Sequence, residues 1–357
     1  MNTPAHASAA LPLVEAAQAW NGADLARRTD WIHVLEPVEV EEIGRAIAHA
    51  EATAKDLVSL RREDFPLDVF AVRLRALKRD LLHGRGFFLV RGMPVDRYSA
   101  RQIAIAFLGI GHHLGEPVSQ NGKGHILGHV KNLGLDFNDP EIRGYQTNAR
   151  LTYHTDYSDA VGLLCLSTAR SGGASSIVSS TTLWNEMAKR RPELAAALTE
   201  PLHYTRWGEI PARKKRYSAV PVFTPWAGRM IAFLNTRNTI MKAQAFPEVP
   251  RITERQLAAL DFLETLQNDP AIHLKMTFAP GDMQFVLNHC ILHAREDYED
   301  WPEPERRRHL LRLWLACDDG PKLPPCMTTD FQGRTRGGRP DGIHVPGMPF
   351  TAPLEAE

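Results

Sequence analysis

His154-Thr155-Asp156, with His293 far downstream and Arg308 and Arg312 beyond it, are the residues whose types and spacing could do chemistry together. Two imidazoles and one carboxylate make a facial ligand set that suits non-haem iron(II) and leaves three positions open for a chelating cosubstrate and oxygen. Side chains two apart on a strand point to one face, so His154 and Asp156 can reach one ion together. The third ligand must come from another strand. His293, in CILHARED, stands 139 positions after His154 and follows the turn Pro280-Gly281-Asp282 and the apolar run MQFVL. The chain holds 15 histidines, so His289, His203 and His273 compete with it on residue type alone.

The residues after His293 break the tie. Arg308 stands 15 positions on, in RRRHLLRLWLA. If HLLRLWLA is a strand, Arg308, Leu310, Arg312 and Trp314 share one face. Two guanidiniums on an otherwise apolar face are costly to bury unless each meets an anion. A guanidinium fork binds a carboxylate bidentately, so one arginine can hold a dicarboxylic cosubstrate and the other a second acid. Arg306 and Arg307 read as a solvated basic patch.

The elements that must position these groups follow from periodicity. Residues 39–60 and 66–82 carry apolar side chains at helical spacing, and 99–113 form a third helix capped by Ser99. FFLVRG is a short buried strand. From about residue 115, short β-branched and aromatic runs alternate with Gly, Pro, Asn and Asp turns: GHILGHV, LTYHTDY, VGLLCLST, SSIVSS, MIAFL, HLKMTF, MQFVLNH and HLLRLWLA. Many short strands with turn signals predict a β-sandwich or barrel. Helices over 181–199 and 253–267, the second capped by Thr253, interrupt them, and loops 119–150 and 203–245 are the expected lid. The first 30 or so residues read as a loosely held arm.

Composition narrows the class. The 357 residues include 42 Lys+Arg and 42 Asp+Glu, so no net field suggests nucleic acid or an anionic membrane as partner. The four scattered cysteines form no C-x-x-C pair, which fits a reducing cytoplasm better than a disulfide framework. Neither a leader with basic and apolar regions nor an apolar stretch long enough to span a bilayer is apparent, so the chain reads as cytoplasmic.

H-T-D, an S-G-G segment about 20 residues later, P-G-D before the distal histidine and R-x-x-x-R after it resemble the taurine dioxygenase/TfdA-like (clavaminate synthase-like) oxygenases over roughly residues 84–318. The resemblance implies a mainly β fold with flanking helices, a double-stranded β-helix (jelly roll, cupin-like) core. It divides the chain into an arm with supporting helices (1–83), an oxygenase domain (84–320) and an irregular tail (321–357). It implies His154, Asp156 and His293 as Fe(II) ligands and Arg308 as the partner of the distal carboxylate of 2-oxoglutarate, with O2 as second cosubstrate. Ser175 matches a position where a threonine often helps hold 2-oxoglutarate. Arg312 matches one that grips an acidic substrate group. Leu151 and Tyr153 fall in the stretch lining the substrate pocket, with Asn148 and Arg150 nearby. A carboxylate at 156, which related halogenases replace with a small residue, favours hydroxylation of a small anionic, amino-acid-like or organic-acid substrate. Desaturation or cyclisation in natural-product biosynthesis is the alternative outcome, and a homo-oligomer, dimer or tetramer, is implied. Two other classes compete: a zinc-dependent hydrolase, which would not need the paired arginines, and a non-catalytic jelly-roll binding module.

Overall fold

The short apolar runs become strands and the longer amphipathic ones helices in a computed structural model that describes residues 11–136, 142–329, 335–336 and 339–357. Eleven strands build the core: β1 (Ile32–Val34), β2 (Phe87–Arg91), β3 (Glu116–Val118), β4 (Gly128–Lys131), β5 (Leu151–His154), β6 (Ala160–Ser167), β7 (Ser175–Ser179), β8 (Leu274–Met276), β9 (Met283–Leu287), β10 (Ile291–Arg295) and β11 (His309–Ala316). One sheet runs β1-β2-β9-β6-β11-β3, with β4 also paired to β11, and a smaller one runs β8-β7-β10-β5. All these pairs are antiparallel except β1 with β2. A larger and a smaller antiparallel sheet make the expected double-stranded β-helix.

Fully buried runs drive the larger sheet. Residues 87–90 of β2 and all of β9 are buried, and the Phe88 and Phe285 rings stack 5.1 Å apart. Such continuous apolar runs need cover on both faces. Helices Pro37–Ala52, Val69–His83 and Ala100–Leu114 pack together, the last two also against this sheet. The third starts as predicted: Gln102 N–H donates to Ser99 Oγ (3.3 Å), and Ser99 N–H donates to Gln102 Oε1 (3.0 Å). Thr253 caps Glu254–Gln267 in the same way.

Three expectations change. The helix over 181–199 is two, Ser180–Arg190 and Pro192–Ala197, because Pro192 cannot donate into the preceding turn and disfavours helical geometry at Arg191. The segment 203–245 is no plain loop: it holds parts of two hairpins and the helix Arg237–Ala243. Within the expected lid 119–150, residues 137–141 lie outside the described residues, as do residues 1–10 of the arm. The rest of the arm is anchored: Trp20 and Trp31 are buried, Trp20 Nε1 donates to Arg85 O, and Asn185 bonds both main-chain groups of Val14. Aromatic burial overrides the weak patterning there. Among the described residues no helix is long and apolar enough to cross a membrane.

Candidate active site

Sheet register brings the first two ligands together. His293 on β10 and His154 on β5 are direct cross-strand partners, and their rings lie 4.3 Å apart. Cross-strand partners share a face, so these two imidazoles meet without help from any loop. Asp156 arrives differently from the expected i, i+2 strand geometry. β5 ends at His154, and Thr155 turns away to donate its N–H to Leu234 O (2.6 Å). Asp156 is then fixed by its N–H donating to Asn288 Oδ1 (3.0 Å) and by Trp314 Nε1 donating to its Oδ2 (2.9 Å). The three ligand atoms lie within 4.8 Å of one another. The competing histidines have other tasks: His289 bonds buried Asp159, His273 lies 3.1 Å from Gln267 O, and His203 packs on Tyr217.

The donor set suits a divalent ion. His154 Nδ1 lies 2.8 Å from Thr152 O, which assigns its proton to Nδ1 and leaves the Nε2 lone pair for a metal. Burial, reinforced by His154 and opposed by Asp156, pushes the His293 imidazole down to about 3, so it is neutral at physiological pH. Burial works against charge on Asp156, yet Arg312, the two histidines and the Trp314 indole hold its carboxyl below the usual carboxylate range. A carboxylate at Asp156 and a neutral imidazole at His293 are the protonation states that ligation requires of them.

Arg308 lies at one end of this arrangement, 5% exposed, just before β11. Pairing between β11 and β6 slips between His309 and Leu310, so Arg308 stands outside the regular strand. Its N–H donates to Asp300 Oδ1 (2.8 Å), and its guanidinium carbon is 5.1 Å from the centre of the Tyr298 ring. Its Nη1 is buried without a partner among the described residues, a cation's donor awaiting an anion. The S-G-G segment makes room for it: Gly173 has φ +72°, and a Cβ there would come 3.1 Å from Arg308 Nε. Ser175 is buried on β7, directly partnered with Arg295, while its neighbour Ser176 bonds the Tyr153 hydroxyl.

Arg312 lies elsewhere. It lines a cavity of about 610 Å³ that also exposes His154 and Asp156, and of which Arg308 is not a wall. Its Nε donates to Gln120 Oε1 (2.7 Å), its Nη1 is 4.0 Å from Asp156 Oδ1, and its guanidinium lies between the Tyr145 and Trp314 rings. Leu151, Tyr153 and Arg150 also line the cavity. Asn148 does not: its amide donates to Tyr298 O (3.1 Å) and its carbonyl accepts from Tyr298 N–H, tying the chain before β5 to the Arg308 neighbourhood.

Sequence reasoning passed over several residues. Trp314 could have been found, since it follows Arg312 by two on one strand face. Asn288 and Gln120 carried no local signal, because each acts on a residue more than 130 positions away. Arg295, buried two positions after His293, was overlooked.

Comparison with known proteins agrees with this geometry. Residues 52–314 match the family described as taurine catabolism dioxygenase TauD, TfdA family. FR-33289 synthase of Streptomyces rubellomurinus (strain ATCC 31215) is 28% identical over 329 residues, 90% of this chain and 95% of that protein. Uridine-5'-phosphate dioxygenase of Amycolatopsis sp is 29% identical over 244 residues, 65% of this chain and 85% of that one. In fold, the chain resembles the non-heme iron oxygenase OrfP in complex with Fe and alpha-ketoglutaric acid, with a TM-score of 0.61 at 18% identity, covering 80% of this chain and 94% of that one.

Proposed function

Because this chain belongs to the taurine catabolism dioxygenase TauD, TfdA family, and is a 2-oxoglutarate-dependent non-haem iron dioxygenase using Fe(II), 2-oxoglutarate and O2, we propose that it hydroxylates a C–H bond of a small anionic substrate. The carrying observation is the charge of the cavity beside the triad. Six basic side chains (Arg143, Arg150, Arg206, Arg237, Lys242, Arg312) line it against three acidic ones (Asp156, Glu209, Glu264) among the described residues. A walled-in excess of positive charge favours an anionic guest. The Amycolatopsis relative is named for a substrate that carries a phosphate, which supports the same class.

His154, Asp156 and His293 would hold the iron, and Arg308, with Ser175 two residues beyond the Gly173 that borders it, the distal carboxylate of 2-oxoglutarate. Bound iron, with 2-oxoglutarate and oxygen, supplies the oxidant that takes a hydrogen from substrate carbon, with succinate and carbon dioxide released. The chain's own task is positioning. Trp314 and Asn288 fix Asp156 from two sides, and the Thr152 carbonyl fixes the His154 tautomer. Arg312 would draw the substrate's acidic group to the iron side of the cavity, with Leu151, Tyr153 and Arg150 as neighbouring walls.

Succinate release with Fe(II), ascorbate and 2-oxoglutarate, screened over amino acids, organic acids, nucleoside monophosphates and their neutral analogues, tests this reading. Anions should stimulate release, and the product should gain one oxygen. Preference for a neutral substrate, or a KM for the stimulating anion unchanged by Arg312→Gln, would overturn the anionic assignment. Loss of two hydrogens would replace hydroxylation by desaturation or ring closure.

A further inference from the structure

The roles assigned so far leave Arg295 unused, although it is a buried cation on the same strand as His293. On β10 it follows His293 by two positions, and in the pairing with β7 it partners Ser175 while His293 partners Ile177. Alternation places residues 293 and 295 on one face, so Arg295 points to the ligand side of the sheet. It is 5% exposed. Its Nη2 donates to the carbonyls of Thr147 (3.0 Å) and Ala149. Its Nε and Nη1 are buried without a partner among the described residues.

Arg308 completes the picture. The Tyr298 ring centre lies 4.8 Å from the Arg295 guanidinium carbon and 5.1 Å from that of Arg308, so two buried cations share one aromatic ring. Three of their nitrogens, Arg295 Nε and Nη1 and Arg308 Nη1, have no acceptor among the described residues. Asp300 and Asp297 are the acids beside them; Asp300 Oδ1 accepts from the Arg308 N–H, and Asp300 Oδ2 is buried without a hydrogen bond among the described residues. Two like charges in a buried shell, with donors unmatched, are costly unless an anion enters between them.

We propose that Arg295 is a second cosubstrate-specificity residue: with Arg308 it forms a two-guanidinium cage for the distal carboxylate of 2-oxoglutarate, selecting dicarboxylic over monocarboxylic 2-oxo acids. This rests on the reading of Arg308 as the partner of that carboxylate. Neither arginine chelates the metal, so the cage acts on the end of the cosubstrate remote from the ion.

Calorimetric binding to the Mn(II)-loaded protein without oxygen separates the cage from a mere clamp. Two ligands are titrated, 2-oxoglutarate and 2-oxopentanoate, which has the same chain without the distal carboxylate. Wild type should prefer 2-oxoglutarate, and Arg295→Gln should lower that preference by about tenfold or more while 2-oxopentanoate binds as before. Equal weakening of both ligands, or no change in either, overturns the proposal and leaves Arg295 a clamp. If Arg295→Gln does not fold by circular dichroism, Arg295→Lys decides: a reduced preference supports the cage and an unchanged one refutes it. Failure of the underlying reading looks different, since wild type would then show no preference or Arg308→Gln would keep it.

Discussion

The two ends of the site are built by different means. At the proposed iron and cosubstrate end, His154 pairs with His293 and Ser175 with Arg295 in one hydrogen-bonded sheet, while Asp156 and Arg308 are held beside it by Asn288, Trp314 and Asp300. At the substrate end, Arg312 is on a strand, but the group that holds it, Gln120, comes from an irregular segment. That segment is braced by the tail: Ile126 N–H donates to Thr351 O, Thr351 N–H to Gly124 O, and His129 Nε2 lies 2.9 Å from Pro353 O. Chemistry common to the family is thus placed where a change would disturb the sheet, and selectivity where loops and tail can vary without cost to the core.

The largest effect should come from the rigid end. Asp156→Ala removes a ligand and leaves Arg312 and Trp314 facing a gap. It should abolish succinate formation and weaken metal binding by more than the ~10–100-fold typical of losing a partner that only supports a ligand, as read by metal titration. Arg308→Gln comes next. Truncating one side of a buried charged pair costs about 2–5 kcal/mol, so the KM for 2-oxoglutarate should rise by tens to thousands of fold, with the metal still bound. Equal damage to metal binding would mean the two functions of this end are not separable.

That division also explains what could be read in advance. The clustering of His154, Asp156 and His293 was legible because the set is rare and ordered: two imidazoles and one carboxylate, followed by two arginines at fixed spacing. Ser99 and Thr253 announced their helices because capping is local. Asp156 was placed on the wrong support, since no sequence signal shows that β5 stops at His154 and that a tryptophan 158 positions away completes the carboxylate's hydrogen bonds. The substrate wall was least legible. Gln120 and Arg312 meet across 192 positions, and, apart from the run MIAFL, the hairpin strands and the helix within 203–245 were hidden by mixed charge and apolar spacing.

Intermediate effects should reveal the seam between the ends. Trp314→Phe keeps the ring beside Arg312 but removes the donor to Asp156, and should weaken metal binding by about 10–100-fold with little change in substrate preference. Gln120→Ala should do the reverse. It frees the Arg312 guanidinium from its 2.7 Å acceptor, so the KM for the anionic substrate should rise by about tenfold while substrate-independent decarboxylation of 2-oxoglutarate holds steady. If both variants changed both quantities alike, the ends would form one cooperative unit and the contrast would fail.

The smallest effect tests the tail. His129 and His309 share one hydrogen bond (2.8 Å), and His129 in turn faces the Pro353 carbonyl. With His129 donating from Nε2 to that carbonyl, its Nδ1 must accept from His309 Nε2, so a second proton on His129 would break the pair. Burial, joined by the charge of His129 and Lys131, pushes His309 down to about 3, and burial also lowers His129. Above the ordinary histidine value near 6.5, folded and unfolded chains both carry neutral rings and the pair contributes no pH dependence. Below it the unfolded chain takes up protons that the folded pair refuses, so stability falls as pH drops toward 3, by up to about 1.4 kcal/mol per pH unit for each proton. Hydrogen exchange should therefore show residues 343–357 opening between pH 7 and 5 before the β5–β10 pair does. His309→Gln, whose amide can still donate to His129 Nδ1, should flatten that dependence. An unchanged slope in this variant would place the acid-sensitive group elsewhere and remove the tail from the substrate end.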